Sequence, residues 1–365
     1  MIPVAQYHPL FYNIILILTL ISFFKMYSKL TDYNVSEVKV FNDSTALILA
    51  ILLILFMGLR PINTSYFGDT VNYAHSFRLM ERGQLTSDAI SKDWLFYTMM
   101  LKSSHIMNVG TFFLIIESIY IGSALLAIYR LFPNNVWLAF LTFVGAFSFF
   151  SYGVNGIRNG MAASIFLLAL SYAHKKWVLI ALVVLAGSFH SSLWLPAIAL
   201  TIGYFYNNSK LFMTFWVFAI PMSFFFGGFF ANFFAGLGFD ERLSKFISDS
   251  SIKEQFSNTG FRWDFLLYSS IPVAVGYYVI FIRKVTSGFY SLLLNTYIIS
   301  NAVWILIIKS GFSNRFAYLS WFLYPVVLLY PFLNFNLWKK QYNIVAIVVL
   351  MHFAFTYIMR LLGKI

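Results

Sequence analysis

The chain has 365 residues, of which 60% are hydrophobic, 10% charged and 43 are phenylalanine, a composition that cannot keep its apolar surface out of water as a soluble globule. It contains no cysteine, which excludes disulfides, cysteine-held zinc or iron–sulfur clusters and a thiol nucleophile. The net charge of +12 is not gathered into basic runs beside exposed aromatics, so it argues against a nucleic-acid partner and for an uneven distribution across a bilayer.

The expected fold class is all-α, a polytopic integral membrane protein of about 12 transmembrane helices. Apolar runs follow in order at Leu10 to Tyr27, a retained anchor, then Thr45 to Leu59, Gly110 to Tyr129, Val136 to Tyr152, Asn159 to Ala173 and Trp177 to Ser188. They continue at Leu193 to Tyr206, Leu211 to Phe230, Phe265 to Ile282, Phe289 to Ile308, Phe316 to Phe332 and Tyr342 to Met359. No internal repeat interrupts them, so residues 1–365 read as a single transmembrane domain with two long loops, 60–108 and 236–262. Alternate connectors carry Lys25, Lys29 and Lys39, Arg130, Lys175 and Lys176, Lys210, Arg283 and Lys284, and Lys339 and Lys340, which by the positive-inside rule face the cytoplasm.

The remaining polar residues of interest fall on the opposite, outward connectors. In the first long loop Asp69, Tyr73 and Phe77 recur every fourth residue, which puts an acid, a phenol and a ring on one helical face. Asp69 reads either as a helix cap, worth about 0.5–2 kcal/mol, or as a carboxylate that accepts a proton from an attacking hydroxyl, with Tyr73 as its hydrogen-bond partner. Arg60 precedes Pro61 at a helix C-terminus, where a cation is favourable in any case. The run from Asp93 to Met107 is too polar to span and reads as an interfacial helix.

Arg158 occupies the first turn of a helix, where the dipole disfavours a cation by a few tenths to about 1 kcal/mol, so an anion is expected beside it unless it snorkels to headgroups. His190, in Gly187-Ser188-Phe189-His190-Ser191-Ser192, reads as an interfacial hydrogen-bonder or as an imidazole that contacts phosphate or titrates during turnover. Arg315 also begins a span. Arg262-Trp263-Asp264 reads as an internal ion pair beside an interfacial anchor, and the loop charges Asp240, Glu241, Arg242, Lys245, Lys253 and Glu254 as a solvated face or an amphipathic cover. No phosphate-binding lysine loop, dinucleotide-binding glycine motif, serine elbow or zinc-binding histidine pair is present, and no pair of acids makes a convincing magnesium site, so a reaction without metal or cofactor is expected.

Taken jointly, Arg60, Gly68-Asp69-Thr70-Val71-Asn72-Tyr73 with Phe77, Asp93-Trp94, Ile157-Arg158-Asn159-Gly160-Met161-Ala162, Ala186-Gly187-Ser188-Phe189-His190-Ser191-Ser192 and Asn314-Arg315 resemble the EpsG family of Wzy-type envelope polysaccharide (O-antigen or capsule) polymerases, over about Leu52 to Trp321. Asn159 stands where members usually have glutamine. The resemblance implies a GT-C-like glycosyltransferase in the bacterial inner membrane, with its active site facing the periplasm. Donor and acceptor would both be undecaprenyl pyrophosphate-linked oligosaccharides, with membrane lipid and a chain-length-regulating co-polymerase as further partners. It would assign Asp69 and His190 to catalysis, and Arg158, Arg315, Arg60, Tyr73 and Arg262 to the substrate and its pyrophosphate. Two other readings stand beside it. A lipid-linked oligosaccharide flippase would line its pathway near the midplane, where this chain has almost no charge except Glu117. A membrane acyltransferase would need a histidine–carboxylate arrangement reachable from the cytoplasm, which the sequence does not disclose.

Overall fold

The computed structural model describes residues 2–27, 40–86, 92–237, 260–310 and 313–363. All regular structure among them is helical. The charged residues from Asp240 to Glu254 lie outside the described residues, as do most of the second long loop and Lys29 and Lys39.

The helices are α1 (Tyr7–Tyr27), α2 (Asp43–Gly58), α3 (Thr64–Phe67), α4 (Thr70–Glu81), α5 (Trp94–Ser104), α6 (Val109–Leu131), α7 (Val136–Val144), α8 (Phe149–Val154) and α9 (Ile157–Ser171). They continue as α10 (Lys176–Phe189), α11 (Trp194–Phe205), α12 (Ser209–Gly236), α13 (Trp263–Tyr277), α14 (Gly288–Leu306), α15 (Asn314–Trp321), α16 (Tyr324–Asn334) and α17 (Gln341–Leu361). Among the described residues, seven helical stretches are long and apolar enough to cross a membrane, and four more, α2, α9, α10 and Ser191–Phe205, are apolar but shorter. Large apolar side chains such as Leu52, Phe225 and Phe229 are exposed along these helices. That surface is tolerable in lipid and not in water, so the chain is a multi-pass membrane protein.

The expected span from Val136 to Tyr152 is broken into α7 and α8 at Gly145-Ala146-Phe147-Ser148. A β-carbon on Gly145 would lie 2.9 Å from the Phe353 ring of α17, so close packing fixes glycine at the point where the helix ends. The broken backbone is sealed in protein, since every residue of α7 is buried, which is the condition under which a membrane helix tolerates interruption.

The chain divides into two compact units, residues 1–190 with 329–365, and residues 191–328. In the first, α6 packs against α2, α7 and α9, and α9 also packs against α8 and α10. The small residues Gly160, Ala162 and Ala163 let α9 be buried nearly all round, and a β-carbon on Gly160 would lie 2.9 Å from the Tyr152 carbonyl oxygen. In the second, α14 packs against α11, α12, α13 and α15. Asn301 of α14 joins three of them: its Oδ1 accepts from Trp216 Nε1 at 2.8 Å, and its Nδ2 donates to Ser269 Oγ at 3.2 Å and Ser320 Oγ at 2.9 Å. Trp321 Nε1 donates to the same Ser269 hydroxyl at 2.7 Å. Asn301→Leu strips a buried indole N–H of its acceptor and is expected to lower stability in detergent by about 1–2 kcal/mol, read as a fall in the thermal unfolding midpoint.

Candidate active site

The first connector is built to hold one geometry. Asn63 caps α3, its side chain accepting from Tyr66 N–H at 3.2 Å. Gly68 follows with φ +43°, and a β-carbon there would lie 2.5 Å from Asn155 Oδ1. Only glycine meets both conditions. The adjacent Asp69 N–H donates to the same Asn155 oxygen at 2.7 Å, so the start of α4 is tied to the turn that precedes α9. Thr70 Oγ1 reinforces the tie by donating to the Val154 carbonyl at 2.6 Å. Gly68→Ala is expected to destabilise the first unit by about 1–3 kcal/mol through strained backbone and loss of the Asn155 contact, measured as a lowered unfolding midpoint.

Arg60 lies beneath this junction, not on an open face. Its side chain is 0% exposed and pairs with Glu117 of α6 at 3.2 Å. Its Nη2 donates to Thr70 Oγ1 at 3.3 Å and to the Val154 carbonyl at 3.2 Å, and its Nη1 also donates to the Met57 carbonyl. Burial pulls the guanidinium below its ordinary range and Glu117 pulls it back up. Arg60 therefore clasps α2, α4, α6 and the end of α8, with its side chain buried behind the junction.

Asp69 makes no capping bond to its own helix; its Oδ1 accepts from Asn72 Nδ2 at 3.3 Å. The capping reading of this residue is thus not what the side chain does. Tyr73, one turn on, is half-buried with its ring 5.8 Å from Phe96 of α5, while Phe77 turns inward onto Phe112. The residues expected on a single face are shared between a polar rim and the core.

The interfacial helix expected after Asp93 is α5, and Asp93 stands at its start with φ 56° and ψ 40°. A left-handed aspartate is uncommon and is worth explaining. Its side chain, 3% exposed, lies between a guanidinium and an imidazole: Oδ2 is 3.0 Å from Arg158 Nη1 and 3.4 Å from His190 Nδ1. Tyr97, one turn along α5, accepts from the same Arg158 Nη1 at 2.9 Å. The anion expected beside Arg158 at the start of α9 thus exists within the chain. Arg158 and His190 keep 21% and 13% of their side chains exposed, so each retains an outer edge while Asp93 is sealed behind them.

Three helices place these groups. Arg158 sits in the first turn of α9, His190 ends α10 before a short turn over Ser191–Leu193, and Asp93 and Tyr97 open α5. Packing of α10 on both α9 and α5 draws them together. The sequence reading assigned no role to Asp93 or Tyr97, although Asp93-Trp94 before an amphipathic run was the visible signal. Arg262 and Arg315 belong to the second unit. Arg262 pairs bidentately with Asp264, Nε to Oδ1 at 3.0 Å and Nη2 to Oδ2 at 2.9 Å, as expected for an internal pair. Arg315 is half-buried in the first turn of α15. No three His, Asp or Glu side chains gather as a metal-ligand set among the described residues.

The sequence profile of the EpsG family matches residues 43–363, which include every residue of this corner. The chain belongs to the EpsG family. No curated protein and no solved structure gives a significant match. Within this EpsG-family chain the match takes in all of the second unit and the first from the start of α2 onward, leaving α1 outside it.

Proposed function

We propose that the protein is a polysaccharide polymerase that transfers a growing glycan from undecaprenyl pyrophosphate onto an undecaprenyl pyrophosphate-linked repeat unit, releasing the lipid pyrophosphate. The observation that carries this reading is the corner at which Arg158 and His190 are held by Asp93 within a family-matched membrane chain. A guanidinium fixed at a helix start is suited to a departing pyrophosphate, whose charge grows as the glycosidic bond breaks. Asp69, tied to the turn before Arg158, serves to orient the attacking hydroxyl, with Tyr73 beside α5 as sugar contact. Arg315 and Arg262 are assigned to the second lipid pyrophosphate. Counted together, the seven long apolar helices, the four shorter ones and the broken α7–α8 pair would give about twelve crossings, and a GT-C-like arrangement would use the helical loop after α2 as its outer active-site loop.

Orientation follows from the lysines. Lys175 and Lys176 lie at the start of α10 and His190 ends it, so the corner is at the end opposite the basic one, and by the positive-inside rule it would face the periplasm of the inner membrane. That separation, roughly 20 Å along the helix, also weighs against an acyltransferase fed from the cytoplasm, although the histidine–carboxylate pair missing from the sequence reading is present here. A flippase would want charge near the midplane, where Glu117 is already committed to Arg60.

The test is to incubate the purified protein, without added nucleotide, with a defined undecaprenyl pyrophosphate-linked repeat unit and resolve the products on a gel. A ladder is the expected result. Folded protein that binds the lipid and makes no ladder sinks the polymerase assignment.

A further inference from the structure

We propose that Asp93 is a positioning residue that fixes the tautomer of His190 and makes that histidine the proton acceptor of the transfer. The inference rests on the polymerase reading above. Asp93 Oδ2 lies 3.4 Å from His190 Nδ1, a separation at which the carboxylate favours the tautomer with its proton on Nδ1 and its lone pair on Nε2. The carboxylate cannot itself be the base: it is 3% exposed and its Oδ2 is also engaged by Arg158. His190 keeps an exposed edge, and the charged or titratable groups that α5 and α9 bring to this corner are Asp93, Tyr97 and Arg158.

Two further observations single out Asp93. Its left-handed backbone is a local cost that the surrounding packing sustains, the pattern seen where a side chain must be aimed. It also meets both partners with one oxygen, so that Arg158 and His190 are fixed relative to each other. In the transfer, the hydroxyl oxygen of the acceptor sugar forms the new bond to the anomeric carbon of the donor glycan. The bond from that carbon to the pyrophosphate oxygen breaks, its electron pair leaving with the pyrophosphate beside Arg158, and the hydroxyl proton passes to His190 Nε2. The imidazolium that results is stabilised by Asp93.

The experiment measures the pH dependence of ladder formation from the defined repeat unit for the wild type and Asp93→Asn at matched amounts of folded protein. His190 must be neutral to accept the proton, and Asp93 favours its charged form, so activity rises with pH and the rise is displaced upward by Asp93. Asp93→Asn is expected to lower the maximal rate by about 100-fold and to move the acidic limb to lower pH by about one unit. Independently of that variant's folding, nitrogen NMR of wild-type protein carrying isotope-labelled histidine, with His190→Gln to assign the signal, is expected to show the Nδ1–H tautomer above the titration. A limb that stays in place while the rate falls, or an Nε2–H tautomer, overturns the role of Asp93 and leaves the polymerase standing. A wild type that makes no polymer overturns the polymerase reading and this inference with it.

Discussion

Arg158→Ala is expected to reduce the initial rate of polymer formation by about 100- to 1,000-fold, the loss typical when one preorganised donor to a developing anion is removed. The guanidinium is already oriented before substrate arrives, since one of its nitrogens meets both Asp93 at 3.0 Å and the Tyr97 hydroxyl at 2.9 Å. In the proposed reaction, reorganisation would be correspondingly small. Arg158→Lys should recover little of the rate, because an ammonium on a flexible stem does not reproduce the planar fork. Ladder assays at equal amounts of folded protein decide the matter, and wild-type rates from both variants would remove Arg158 from the chemistry.

The largest effect on stability is expected from splitting the Arg60–Glu117 pair. Both side chains are essentially sealed, so Arg60→Ala leaves a carboxylate in the interior of the first unit and should cost about 3–5 kcal/mol. It also removes donors from Thr70 and Val154, loosening the junction that holds Asp69. Replacing both members with apolar residues of similar size, Arg60→Met with Glu117→Leu, should restore most of the loss, since the desolvation cost of two ions disappears with them. Thermal unfolding in detergent of the two single variants and the double variant forms the test. A double variant as unstable as the sum of the singles would mean that the pair is not coupled.

How far these features can be read from sequence depends on their range. Membrane class, helix content and the extent of α5 follow from local composition, because apolar run length and charge content act within a single segment. Arg158 and His190 were visible as anomalies, a cation at a helix start and a histidine at a turn. Their common partner was not, because Asp93 becomes central only when α10 packs on α5 and α9, and sequence spacing carries nothing of that packing. The burial of Arg60 was hidden for the same reason: its position after α2 is that of a surface C-terminal cation, and only α6 turns it into half of a buried pair. The break between α7 and α8 was hidden by uniform hydrophobicity on both sides of Gly145.

The lengths of three apolar helices of the first unit have a consequence for the bilayer itself. Helices α2, α9 and α10 contain 16, 15 and 14 residues, or roughly 21–24 Å at the usual rise per residue, against a hydrocarbon core of about 30 Å. The mismatch draws lipid headgroups inward around the first unit, or leaves the start of α9 and the end of α10 sunk below them. On the proposed function, a phosphate carried on a membrane-embedded chain would then meet Arg158 and His190 at its own depth, without lifting the chain out of the lipid.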